Sequence, residues 1–242
     1  MKRIDMLKVK IFADGADLES ILELNKKPYI KGFTTNPTLM RKAGVRDYEA
    51  FSRKLIAAIP DRPISLEVLA DEFLEMEKQA HHIASWGKNV YVKIPVTNTK
   101  GESSCPLITR LSNAGIRVNV TAVLTLNQVQ AVSNALNVEN PAIVSVFAGR
   151  IADTGVDPVP FMSRAIDILR NRPKVELLWA SPRELLNIVQ ANELGCHIIT
   201  VTSDILKKLS LLGKDLDEYS LETVEMFYND AMSAGYSIDS NY

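Results

Sequence analysis

The sequence predicts an α/β fold, a single (β/α)8 barrel of the TIM type with one additional C-terminal helix. Three observations predict it. Eight short apolar runs recur along the 242 residues, longer amphipathic stretches separate them, and several runs are polar on one parity. Strand alternating with helix implies right-handed crossovers and a parallel sheet. Eight such units in about 240 residues is the size of an eight-stranded barrel. A doubly wound sheet is the alternative, but no G-x-G-x-x-G marks a nucleotide turn. Parity favours the barrel. Parallel strands covered on both faces are almost wholly apolar, whereas a barrel keeps its chemistry on inward residues near the strand C-termini.

The first run, KIFAD (10–14), ends on Asp14. IKGFTTN (30–36) sets Thr34 and Asn36 on one parity. PISLEVL (63–69) alternates Ile64, Leu66 and Val68 with Ser65 and Glu67. NVYVKIP (89–95) alternates Val90, Val92 and Ile94 with Tyr91, Lys93 and Pro95. IRVNVTA (116–122) sets Val118, Val120 and Ala122 against Asn119 and Thr121. AIVSVFA (142–148), KVELLWA (174–180) and HIITV (197–201) complete the eight. Caps mark the helices between. Thr125 and Gln128 form a T-x-x-Q capping box before a segment ending near Leu136. Ser181, Pro182 and Glu184 predict another box, with proline at the favoured first helical position. Asp157 before Pro158 and Asp71 before EFLEMEKQA are further N-cap candidates. No linker or low-complexity tract divides the chain, so one domain is expected over residues 1–242, with 215–235 as an appended helix.

Composition narrows the function classes. With 46% hydrophobic and 24% charged residues the chain is an ordinary globular sequence, which excludes a disordered one. Twenty-eight basic against 29 acidic side chains give a net charge of -1, which offers no bulk attraction to nucleic acid or an anionic membrane. No apolar stretch approaches the roughly 18 residues of a membrane span, and the N-terminal residues hold no signal-peptide block. Two cysteines, Cys105 and Cys196, point to a reducing cytoplasm. The histidines are His81, His82 and His197; the adjacent pair diverges by about 100° on a helix, so neither a metal site nor a cofactor is expected. No P-loop or G-x-S-x-G motif is present.

Lys93 is the sharpest chemical candidate. A lysine centred in VYVKIPV is either desolvated or reaches an opening. Desolvation favours the neutral amine, and a neutral amine attacks a ketone to form a Schiff base. The plainer alternative is an edge strand with Lys93 in water. Polar inward positions on other strands favour catalysis. Asp14 and Glu67 would supply the proton transfers that imine formation and carbon–carbon cleavage need. Asp14 before Gly15 is also ordinary turn chemistry, while a glutamate in a buried strand calls for a reason. Arg150 and Arg183 follow the sixth and seventh runs, where the loops gather, and guanidinium forks suit phosphate. Ser181 would add a hydroxyl at a helix N-terminus, or merely cap that helix.

The segments FTTNPTLM (33–40), VYVKIPVT (90–97), IRVNVTAVLTLNQ (116–128), VSVFAGRIAD (144–153) and WASPR (179–183) resemble the transaldolase family, over a stretch from Asp14 to about Lys208. The resemblance implies a class I aldolase-type barrel with the Schiff base on Lys93, Asp14 ending the first strand and Glu67 on the third. It implies substrate contacts from Thr34, Thr35, Asn36, Asn119, Thr121, Ser145 and Phe147, and phosphate contacts from Arg150, Ser181 and Arg183. The sequence departs from the family pattern at Gly15, at Pro182 and in the longer, polar NTKGESSCP segment, which bears on substrate preference rather than on the Schiff base. The related fructose-phosphate aldolases carry glutamine and tyrosine where this chain has Glu67 and Phe147, which points to the transaldolase branch. The implied activity moves a dihydroxyacetone unit from fructose 6-phosphate or sedoheptulose 7-phosphate to an aldose phosphate, in the pentose phosphate pathway. The alternatives are an aldolase that releases dihydroxyacetone, or a sugar-phosphate-binding protein without catalysis. The resemblance also implies a homo-oligomer whose C-terminal helix touches a neighbour.

Overall fold

The computed structural model describes residues 4–238; the ends of the expected domain, 1–3 and 239–242, lie outside the described residues. Eight parallel strands close a barrel in sequence order: β1 (Lys10–Asp14), β2 (Ile30–Thr34), β3 (Ile64–Glu67), β4 (Val90–Pro95), β5 (Val118–Val123), β6 (Ala142–Val146), β7 (Val175–Trp179) and β8 (Ile198–Thr202). Closure is made by β8 pairing with β1 from Lys10–Ile198 to Asp14–Thr202. Every apolar run is a strand, and the ends differ for local reasons. β2 stops at Thr34 because Asn36 turns to cap the helix Pro37–Lys42, its side chain accepting from Leu39 N–H at 2.9 Å. β6 stops at Val146, since Phe147 leads into the helix Ala148–Asp153.

The alternation divides the strands into two packing layers. Ile11, Phe33, Leu66, Val92, Val120, Val144, Trp179 and Val201 face outward into the main core under the helices. Phe12, Ile143, Leu178, Ala180 and Ile198 form a second, smaller cluster inside the barrel, with Tyr91 and Phe147 against it. Phe12 needs room there: a Cβ on Gly32 would stand 2.6 Å from its ring, so β2 carries glycine at that level. Above this floor the interior turns polar, and the site begins.

Most caps follow the local pattern. Thr125 and Gln128 make the full capping box on the helix Leu126–Ala135, and Asp157 accepts from Val159 N–H. Two do not. Asp71 caps nothing: the helix Phe73–Ala84 starts after Glu72, and the Asp71 carboxylate accepts from the N–H and hydroxyl of Thr99. With the Lys100–Glu72 ion pair this clamps the NTKGESSCP segment, a turn closed by a Thr97–Ser103 bridge, to the loop after β3. The box expected at Ser181, Pro182 and Glu184 is also absent. The helix begins at Leu186, Ser181 is left-handed at φ 57°, and Asn187 reaches back to accept from Arg183 N–H and Glu184 N–H. An anchored loop with φ > 0 at Ser181 cannot also be a helix start, where the N-cap is extended. The C-terminal helix Leu216–Ser233 is present, capped by Asp215, and buries none of its residues.

Candidate active site

A cavity of about 420 Å³ opens at the C-terminal ends of the strands. Lys93 rises into it from β4 and is only 7% exposed. Its Nζ donates to the carbonyl of Thr35 at 2.8 Å and sits 3.0 Å from Glu67 Oε2. Register explains the pair: Glu67 and Lys93 are cross-strand partners, so their inward side chains stand side by side. On the far side Asp14 ends β1 beside Thr34 of β2. Thr34 Oγ1 donates to Asp14 Oδ1 at 2.8 Å, which uses its only proton. Thr200 Oγ1, 2.5 Å from Thr34 Oγ1, is then the donor to Thr34. Burial pushes the Asp14 carboxyl above the usual carboxylate range, while the Lys93 charge and the Thr34 hydroxyl pull the other way. A carboxylate moved toward neutrality is a better proton carrier at physiological pH.

The wall beyond Lys93 is a hydrogen-bonded row. Ser145 Oγ donates to Asn119 Oδ1 at 2.7 Å, and Asn119 Nδ2 donates to Ser65 Oγ at 3.0 Å. All three are buried, so the row holds the Asn119 amide in one orientation beside Lys93. Thr121 and Phe147 stand higher on the same wall. Next to Thr121, Ala122 has φ 60° where β5 and β6 slip register, a bulge at the cavity edge.

The rim is basic. Arg150 lines the cavity with its guanidinium 5.7 Å above the Phe147 ring, and Ser181 lies on the same side. Gly149 fits because the loop after β7 rides directly over it: a Cβ there would stand 1.5 Å from the Ser181 carbonyl oxygen. A Gly149→Ala chain is therefore expected to lose about 1–3 kcal/mol, the usual cost of overpacking. A thermal melt checks it, and an unchanged melting temperature would mean that the loop is free to move aside. Arg183 takes a different place from the one its sequence position suggests. Its Nε donates to Asp153 Oδ1 at 2.9 Å and its Nη2 to Asp153 Oδ2, a bidentate pair on the outer side of the rim. That guanidinium holds the Asp153 carboxyl below the usual range.

The structure thus gathers Asp14, Thr34, Asn36, Glu67, Lys93, Asn119, Thr121, Ser145, Phe147, Arg150 and Ser181 around one cavity. Thr35 contributes its carbonyl to Lys93, while its hydroxyl faces the Ser65 carbonyl. Arg183 is held at Asp153, outside the cavity lining. Sequence reasoning missed Thr200, although the two-residue alternation of HIITV carried the same signal as the other strands. Among the described residues no group of three or more His, Cys, Asp and Glu side chains is placed to hold a metal ion. No helix among them is long and apolar enough to cross a membrane.

The sequence signature described as Transaldolase/Fructose-6-phosphate aldolase matches residues 11–240. This chain belongs to that family. A probable transaldolase of Dehalococcoides mccartyi is 35% identical over 202 residues, covering 83% of this chain and 90% of its own. A probable transaldolase of Thermoanaerobacter sp. is 33% identical over 231 residues, covering 95% of this chain and 100% of its own. Solved structures add the fold alone. KGPDC from Streptococcus mutans superposes with a TM-score of 0.57 at 10% identity, over 84% of this chain and 91% of that one. The 3-keto-L-gulonate-6-phosphate decarboxylase of Vibrio cholerae gives 0.55 at 10% identity, over 81% and 88%. Asp14, Glu67 and Lys93 stand on β1, β3 and β4 of this barrel.

Proposed function

We propose that this enzyme transfers a dihydroxyacetone unit between sugar phosphates through a Schiff base on Lys93. The observation that carries the reading is a buried lysine on β4 paired with Glu67 at 3.0 Å, with Asp14 in the same cavity. Glu67 takes a proton from Nζ, and the amine attacks the C2 ketone of fructose 6-phosphate or sedoheptulose 7-phosphate. Glu67, through a water, returns a proton to the carbinolamine oxygen, which leaves as water. Asp14 then takes the proton of the C4 hydroxyl. The C3–C4 bond breaks, its electron pair moves into the iminium, and the aldose phosphate departs. The enamine on Lys93 attacks the carbonyl carbon of an incoming aldose phosphate, Asp14 returns its proton to the new hydroxyl, and hydrolysis frees Lys93. Thr34 and Thr200 steady Asp14, and Asn119 and Ser145 offer polar contacts to the three-carbon unit. No nucleic acid, membrane or cofactor enters this scheme, and the proposed setting is the cytoplasm and its pentose phosphate chemistry.

A coupled assay with fructose 6-phosphate, with and without erythrose 4-phosphate, tests the reading, together with borohydride trapping. Turnover that depends on the acceptor, with added mass on Lys93, supports it. Equal turnover without acceptor supports an aldolase that releases dihydroxyacetone, and binding without trapping supports a sugar-phosphate-binding protein. Glu67 and Phe147 favour transfer.

Arg150, Ser181 and Arg183 are assigned to the phosphate. Arg150 stands over the cavity and Arg183 waits beside it on Asp153, so Arg150 is the nearer anchor. Arg150→Ala is expected to raise KM for fructose 6-phosphate by roughly ten- to a hundredfold, the range for losing a charge-assisted hydrogen bond. Arg183→Ala follows the same pattern more weakly. Neither is expected to change kcat much, since anchoring acts on ground and transition state alike. Steady-state kinetics on unphosphorylated fructose provide the control, and equal losses on both substrates would make these arginines supports of the barrel.

The same reading treats the chain as a homo-oligomer. The C-terminal helix buries nothing yet carries Leu221, Val224, Phe227 and Tyr228 in the open. Exposed apolar patches of this kind mark protein contacts. Light scattering that finds a monomer at micromolar concentration would remove this part of the proposal.

A further inference from the structure

The hydrogen-bond ladder between β2 and β3 meets an obstacle at Glu67. Phe33 N–H donates to the Pro63 carbonyl at 2.9 Å, and Thr35 N–H to the Ser65 carbonyl at 3.3 Å. In a parallel ladder the next step on that edge pairs the N–H of residue 37 with the Glu67 carbonyl. Residue 37 is a proline, at the start of the helix Pro37–Lys42, and has no N–H to give. The hydroxyl of Tyr48 supplies the donor instead, reaching the Glu67 carbonyl at 2.7 Å. Tyr48 is the first residue of the helix Tyr48–Ala58, whose start is fixed by Asp47 accepting from Ala50 N–H. Its ring lies against Trp86, with centroids 6.3 Å apart. Burial pushes the phenol up from its ordinary value, so it remains a donor through the physiological range.

On its other edge β3 is tied to β4, where Val68 N–H donates to the Lys93 carbonyl at 3.2 Å. The end of β3 is therefore gripped by the lysine's own strand on one side and by the Tyr48 hydroxyl on the other. We propose that Tyr48 is a positioning residue for the reaction: it fixes the Glu67 peptide, in place of the ladder bond that Pro37 cannot make, so that the carboxylate meets Lys93 Nζ. This rests on the proton relay assigned to Glu67 and extends it to a residue outside the cavity lining. The phenol acts on the peptide, and the peptide sets where the carboxylate stands relative to the amine. Small misplacements of a reacting group are costly because the encounter geometry is lost.

The test is a double-mutant cycle of Tyr48→Phe and Glu67→Gln, read by kcat, KM and melting temperature in the fructose 6-phosphate and erythrose 4-phosphate assay. The phenylalanine keeps the ring against Trp86 and removes only the donor. Tyr48→Phe is expected to lower kcat about tenfold with KM changed less than about twofold. In the Glu67→Gln background its effect on kcat should shrink to less than about twofold, while its cost in melting temperature stays the same. A structural role alone would lower the melting temperature without this coupling. An equal fold-loss of kcat in both backgrounds, an unchanged kcat in the Tyr48→Phe protein, or a Tyr48→Phe chain that does not fold would each overturn the proposal. Borohydride trapping of the wild type separates the two levels. An untrapped wild type sinks the Schiff-base reading itself, whereas a trapped wild type with an additive cycle removes the role of Tyr48 alone.

Discussion

A Lys93→Met chain is expected to fold and to show no measurable turnover of a ketose phosphate. Methionine follows the path of the lysine side chain into the cavity, but its thioether forms no imine, so the covalent step has no substitute. The substitution also removes the cation beside Glu67 and the donor to the Thr35 carbonyl. Leaving such a group short of its partner costs about 1–3 kcal/mol. That lowers the melting temperature without unfolding a barrel whose outer core runs through all eight strands. Circular dichroism, a thermal melt and borohydride trapping check the three parts. Appreciable cleavage of the sugar by a folded Lys93→Met protein would end the assignment of the Schiff base to this residue.

The second large effect is expected at Glu67. Glu67→Gln keeps the size of the side chain and its place beside Lys93, but an amide accepts no proton. Transfer should fall by roughly 10²–10⁴-fold, as for loss of an acid–base group. The loss belongs in kcat, because the group acts on protons that move only after the sugar is bound. Release of free dihydroxyacetone should rise relative to transfer, in line with the glutamine of the fructose-phosphate aldolases. Asp14 remains in this variant, and its raised pKa gives a sign to the pH profile. A base is active above its pKa, so activity should fall as the pH drops through a value higher than that of an ordinary aspartate, in wild type and variant alike. An acid limb that vanishes in the Glu67→Gln chain would overturn its assignment to Asp14. Transfer kinetics unchanged by Glu67→Gln would make the glutamate a structural partner of Lys93.

Both predictions depend on residues that the alternation already singled out. A period of two needs only neighbouring positions in the chain. Val92, Lys93 and Ile94 reveal within three residues that one side chain faces away from the apolar layer. The same local rule assigned Glu67, Asn119 and Thr121 to the barrel interior, while Ser145 came only from the family resemblance. It covered Thr200 equally, but one threonine in HIITV carries no charge to draw notice. Caps proved less secure, because an N-cap is a competition. Asp71 had Thr99 within reach and spent its carboxylate there. Ser181 was drawn into a left-handed turn over Gly149, and Asn187 took over its hydrogen-bonding task.

The sequence by itself determined the eight-stranded barrel, its polar inner layer and the lysine at its centre, since each follows from contacts repeated every two or every three to four residues. Tertiary structure alone decided who partners whom. Thr34 meets Thr200 across 166 residues, Asn119 meets Ser65 across 54, and Arg183 turns to Asp153 across 30. It also decided that Tyr48 would stand in for the missing N–H of Pro37. The reason is physical: periodicity tells which way a side chain points, but a hydrogen bond needs two groups about 3 Å apart, and only barrel closure and strand register bring residues so distant in the chain to that separation.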